Sequence, residues 1–215
     1  MTTPAVVGQR FASSCGAAAV CLVAAIASPG RTHAQPALDV TSVYTSTVAK
    51  DCHAERLPRR HGPDLGVVRV CPGSHGFVVV IAEDDLRETV TIGRNRALAE
   101  KEPAAQQRFE PFNASGSPIE WLTRRGGRPF AIIQRWSIAD NNDPDKDGRP
   151  RDKDLLIVMR LPPGPVCRIA YVDVAANPNA GDLARLAAQH AREFDCSKDK
   201  IRVEGQSGRA VELAQ

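Results

Sequence analysis

Residues 65–93 read LGVVRVCPGSHGFVVVIAEDDLRETVTIG, and this stretch decides the class of fold. Val67 to Cys71 is a β-branched run, and Pro72-Gly73-Ser74-His75-Gly76 carries turn chemistry. Phe77 to Ala82 is a second apolar run. After the acidic turn Glu83-Asp84-Asp85, residues Arg87 to Gly93 alternate, with Val90 and Ile92 on one face. Three short strands joined by tight turns predict an antiparallel meander.

The same reading extends downstream. Ile119 to Thr123 and Phe130 to Ile138 flank Arg125-Gly126-Gly127-Arg128, a two-glycine hairpin turn. Leu155 to Leu161 and Val166 to Val174 flank Pro162-Pro163-Gly164-Pro165, which completes a second meander. Between the two, Ala97 to Phe109 has helix formers interrupted by Pro103, and Pro111 to Pro118 is irregular. One helix is expected after Asn179, its cap, with Asp182 in the first turn. Leu183, Leu186, Ala187, His190 and Phe194 would form its apolar face. The expected fold is α+β: mostly antiparallel β-sheet meanders with one C-terminal amphipathic helix packed on the sheet.

Upstream, residues 35–64 hold a β-like stretch, Val40 to Val48, and then the polar run DCHAERLPRRHGPD, so they are expected as an N-terminal arm to a single domain over 65–215. Residues 1–34 have the character of a removable leader. Cys15 to Ser28 is apolar, of signal-peptide length and too short to span a bilayer, and Thr32-His33-Ala34 offers small-x-small before Gln35. An uncleaved N-terminal anchor is the alternative. A lipoprotein fits less well still, because Val20 precedes Cys21 where a lipobox needs a small residue, and no twin-arginine motif exists, Arg10 being the sole base before the apolar run. Of 215 residues, removal of 34 leaves 181, enough to bury a sizeable core. With 42% hydrophobic and 25% charged residues, disorder, collagen-like repeats and coiled coil are excluded. The leader holds two of the 28 Lys and Arg and no acid, so 26 bases face 25 acids in the mature chain. Such a balance argues against a nucleic-acid partner held by bulk charge.

Four cysteines remain after the leader: Cys52, Cys71, Cys167 and Cys196. An even count in an exported chain predicts disulfides, with three possible connectivities. Pairing sequence neighbours gives Cys52–Cys71 and Cys167–Cys196. Zinc is the rival, since His53 adjoins Cys52 and His75 follows Cys71, but C-x-x-C spacing is missing.

Residues 143–154, DPDKDGRPRDKD, match a calcium-loop pattern with Asp143, Asp145, Asp147, the Arg149 carbonyl and Asp154 as oxygen donors. Asp154 is shorter than the usual Glu, Pro150 breaks the pattern, and Lys146, Arg149, Arg151 and Lys153 offset the negative charge. The same residues also suit a solvated hairpin turn. Two basic clusters, Arg56, Arg59, Arg60 and Arg124, Arg125, Arg128, are candidate anion-binding groups for envelope phosphates or carboxylates. Ser74-His75 could make a serine–histidine pair, although adjacent residues seldom reach that geometry and no G-x-S-x-G elbow accompanies them. His190 is expected to pack. Trp121 and Trp136, on paired strands, are expected in the core or cross-strand rather than on a ligand face. No catalytic set emerges.

As a pattern, Asp51-Cys52, Arg69-Val-Cys71-Pro-Gly73, Ile119-Glu-Trp121, Cys167-Arg-Ile-Ala-Tyr171-Val-Asp173, Ala176-Asn-Pro-Asn179 and the late Cys196 and Arg202-Val-Glu-Gly205 resemble small exported bacterial proteins of unknown function. The resemblance implies a disulfide-stabilised periplasmic domain without assigned catalytic residues. The expectation is therefore an exported, non-catalytic binding or envelope-accessory protein, whose partner is an anionic envelope component or another periplasmic protein. A calcium-braced structural or adhesion module and a secreted hydrolase are the alternatives.

Overall fold

A computed structural model describes residues 40–56 and 66–215, with Arg56 described in its backbone alone. The leader, its cleavage point near Ala34, and Arg59, Arg60 and His61 lie outside the described residues.

The chain builds one ten-stranded sheet. Strands β2 (His53–Arg56), β3 (Val67–Pro72), β4 (Val78–Asp84) and β5 (Arg87–Gly93) form the first antiparallel meander. Strands β6 (Asn113–Arg124), β7 (Pro129–Pro144), β8 (Pro150–Arg160) and β9 (Cys167–Asp173) form the second. The two meanders meet at one parallel bridge, Arg87 to Asn113, and a two-residue strand β10 (Arg202–Val203) pairs parallel to β9. The sheet is thus mixed, with mostly antiparallel neighbours. Strand β1 (Val40–Thr45), from the segment expected as an arm, runs antiparallel to the second half of β6.

That junction is thin in backbone bonds, and side chains reinforce it. Glu88 of β5 is buried and accepts from both the amide and the hydroxyl of Ser115 on β6, each at 2.6 Å, while also pairing with Arg69 of β3. A carboxylate with this many donors is satisfied despite its burial.

Alternation along the strands creates two faces. The inner face gathers Val79 and Ile81 of β4, Val90 and Ile92 of β5, and Trp121, Ile132, Trp136, Leu155 and Ile157 of β6–β8 into one cluster, so the sheet wraps around it. Phe77 stacks on Trp121 at 6.1 Å, and Phe109 meets Trp136 edge-on at 5.3 Å. Both tryptophans are buried, as expected for core residues. The crossover between the meanders carries a short helix α1 (Arg96–Ala99) and a 3₁₀ turn at Pro103–Gln106, then delivers Phe109 into the core.

On the outer face of β7–β9 lies helix α2 (Ala180–Ala188). Of the expected apolar face, Ala187 and Phe194 are buried and Leu183 packs beside them, while two positions are corrected. Leu186 is half exposed and His190 is exposed, because the buried stripe is Ala180, Ala184, Ala187, Ala188 and Ala191. These residues recur at helical spacing, and their short side chains let the helix approach the sheet closely. The Asn179 side chain makes no cap bond; its carbonyl accepts from Asp182 and Leu183 instead. A further helix, α3 (Arg209–Ala214), was not foreseen, and its Ala210 and Val211 close the inner core. Asp173 of β9 accepts from the Ala210 amide at 2.8 Å and anchors its start.

Both disulfides join the sequence neighbours: Cys52–Cys71 and Cys167–Cys196. Among the described residues no helix is long and apolar enough to cross a membrane.

Candidate anion-binding cleft

Four arginines define the polar chemistry of the second half of the chain. Arg185 of α2 presents its Nε and Nη2 edge to Glu120 of β6, at 2.8 and 3.1 Å. Arg209 of α3 does the same with Asp140 of β7, at 2.7 and 2.8 Å. Glu120 and Asp140 are both buried, and each receives a bidentate guanidinium, the geometry that best matches a carboxylate. Asp140 is held down to about 2, chiefly by the Arg209 hydrogen bonds.

On Arg202 of β10 and Arg168 of β9 the same edge is shielded from solvent and has no acceptor. Arg202 borders a cleft of about 340 Å³, which His190, Glu193, Phe194, Asp199 and Lys200 also line. This volume suits a small ligand. The cleft lies where α2 has ended and the chain turns back toward β10. Its wall is fixed at two points: Cys196 is bonded to Cys167 at the start of β9, and Arg160 of β8 donates to the Phe194 carbonyl.

Acids in the lining already have partners. Asp199 accepts from the Asp195 amide at 2.8 Å, and Glu193 sits 3.3 Å from His190 Nδ1. Glu204 comes no closer to Arg202 Nε than 3.7 Å, beyond hydrogen-bond reach. Neighbouring Asp195 is lowered to about 2 by the Ser197 hydroxyl and amide and by Lys198, so it is charged but engaged. The cleft therefore offers cationic donors, Arg202 and Lys200, against acids that are occupied, beside the apolar ring of Phe194.

The residues singled out from sequence are distributed differently. Asp145 Oδ1 accepts the amides of Asp147 and Arg149, at 2.8 and 2.9 Å, inside a tight hairpin turn. Asp143 pairs with Lys153 and Arg151, and Asp154 stands further down β8 opposite Ser137, bonded to Arg135. The calcium-type donors are thus strung along a hairpin, because strand pairing continues almost to its tip. No group of three or more His, Cys, Asp or Glu positioned for a metal occurs among the described residues.

At the β6–β7 tip, Arg124 lies over Phe130 at 5.2 Å, and Arg125 and Arg128 are exposed beside it. The Arg56 side chain, Arg59 and Arg60 lie outside the described residues. Ser74 and His75 do meet, Oγ to Nδ1 at 2.7 Å, against the expectation for adjacent residues, and His75 takes φ of 54° in the turn. Arg202 and Arg168 were missed, since single arginines in strand-like sequence read as solvent-facing.

Comparison of the chain with protein-family models, with curated proteins and with solved structures finds no match. The class it defines rests on its own geometry: a disulfide-stapled, wrapped mixed sheet with an arginine cleft at its β10 edge.

Proposed function

We propose that the chain is an exported binding protein that holds a carboxylate- or phosphate-bearing ligand at Arg202. The carrying observation is Arg202, which borders the cleft while its Nε and Nη2 are shielded from solvent and have no acceptor. Elsewhere in the same molecule this edge is matched to a carboxylate, at Glu120 and at Asp140. Lys200 would add a second cation and Phe194 an apolar wall. An anionic component of the cell envelope is the ligand class that suits such a site. Export is supported by two disulfides, which persist in oxidising compartments, and by the apolar run of the leader.

The test is calorimetric titration of the oxidised protein, without its leader, with inorganic phosphate, pyrophosphate and citrate. The parent is expected to bind at least one of them, and Arg202→Met to weaken that binding at least tenfold while keeping the parent circular dichroism. Removing one member of a desolvated charge pair costs about 2–5 kcal/mol, which sets that scale. Equal binding by parent and variant, or none by the parent at millimolar concentration, overturns the reading.

A further inference from the structure

Arg168 of β9 stands where its neighbours are apolar. It follows Cys167, precedes Ile169 and lies opposite Met159 of β8, and only 1% of it reaches solvent. A guanidinium cannot discard its charge to escape burial, and it carries five donors. Two rings serve it: Phe109 lies 4.1 Å from Cζ and Trp136 4.9 Å, and the two meet edge-on, so the cation rests against an aromatic corner. The Tyr171 phenol lies against it as well.

Its edge is another matter. Nε and Nη2 are buried without an acceptor, and Trp136 Nε1, on the ring beneath the same guanidinium, is a third buried donor without one. No carboxylate is among the groups that act on Arg168. Gln134, two residues before Trp136 on β7, has a buried acceptor without a partner in Oε1, but its amide is tethered through Nε2 to the Gly116 carbonyl at 2.8 Å. A neutral amide oxygen does not balance a cation. Buried charges are ordinarily paired, and buried donors ordinarily bonded. Three donor atoms, two of them on a cation, are also too many for a single water, which accepts two hydrogen bonds and must place its own protons.

We propose that the Nε/Nη2 edge of Arg168, together with Trp136 Nε1, holds a small inorganic anion of the halide class inside the folded core. Arg168 is buried at 1% exposure, so the anion is taken up as the chain folds. A ligand that binds only the folded state adds to stability as its concentration rises. The site is separate from the Arg202 cleft and does not depend on it.

The experiment is thermal unfolding at fixed ionic strength, with sodium gluconate replaced stepwise by sodium chloride or bromide. For the parent and for Arg202→Met, the midpoint is expected to climb with the logarithm of halide concentration. For Arg168→Met it is expected to stay flat. Should Arg168→Met not fold, crystals of the parent refolded in bromide decide the matter. An anomalous bromide peak within hydrogen-bond distance of Arg168 Nε and Nη2 supports the site. A midpoint that ignores the exchange in the parent, an equal climb in Arg168→Met, or a water in place of the anomalous peak overturns it.

Discussion

Asp140 shows how much a single residue's environment decides. It is buried at 3% exposure on β7, yet it stays ionised because Arg209 brings two donors to it and the Asn142 amide a third. Its carboxyl therefore titrates at about 2 instead of 3.8, with the Arg209 hydrogen bonds as the leading cause. A carboxylate depressed in the folded state stabilises fully above its unfolded value and loses that contribution as pH falls through its folded value. The window here runs from roughly pH 4 down to roughly pH 2. Asp140→Asn is expected to lower the thermal midpoint at neutral pH and to lose this part of the acid dependence. Parent and variant curves should converge near pH 2, and a gap that stays constant from pH 5 to pH 2 would refute the assignment.

Elements were legible in proportion to how locally they are specified. The strands of both meanders follow from β-branched runs and turn residues, and Val79, Ile81, Val90 and Ile92 do line the inner core. Helix α2 was placed by its period, and Leu183, Ala187 and Phe194 of its expected face do pack, but Leu186 and His190 face outward and alanines make the closest approach. Distance to the sheet decides that face, and distance is a tertiary property. The alanine stripe makes this testable. Ala184→Leu inserts bulk where the helix touches the sheet and is expected to cost about 1–3 kcal/mol. Leu186→Ala, at a residue 51% exposed, should stay within about 0.5 kcal/mol of the parent. Denaturant unfolding of the two variants checks both; the reverse order would restore the leucine face. Strand β10 and helix α3 were not legible because each is too short to show a period. Arg202 was unreadable for the same reason, since its meaning comes from a parallel pairing with Ala170, 32 residues away by number. Asp143 to Asp154 show the opposite limit: composition matches a cation loop, while the strand register spaces the acids along a hairpin.

At the scale of the whole molecule, the disulfides stand at opposite ends of the sheet. Cys52–Cys71 ties the chain entering edge strand β2 to β3, whereas Cys167–Cys196 ties the first residue of β9 to the turns that follow α2. They close spans of 19 and 29 residues, so each should contribute about 3 kcal/mol by restricting the unfolded chain. Equal stabilisation does not mean equal roles. Only the second bond holds the segment that carries His190, Phe194 and Lys200 against Arg202. Cys167→Ala with Cys196→Ala is therefore expected to lower stability by about 3 kcal/mol and also to weaken anion binding at the cleft. Cys52→Ala with Cys71→Ala should cost a similar amount of stability and leave that affinity within about twofold, once both are measured well below their unfolding midpoints. If both pairs weaken binding alike, the cleft responds to global stability and its wall is not held by the second bond. If neither does, Arg160 and its grip on the Phe194 carbonyl suffice to keep the wall in place.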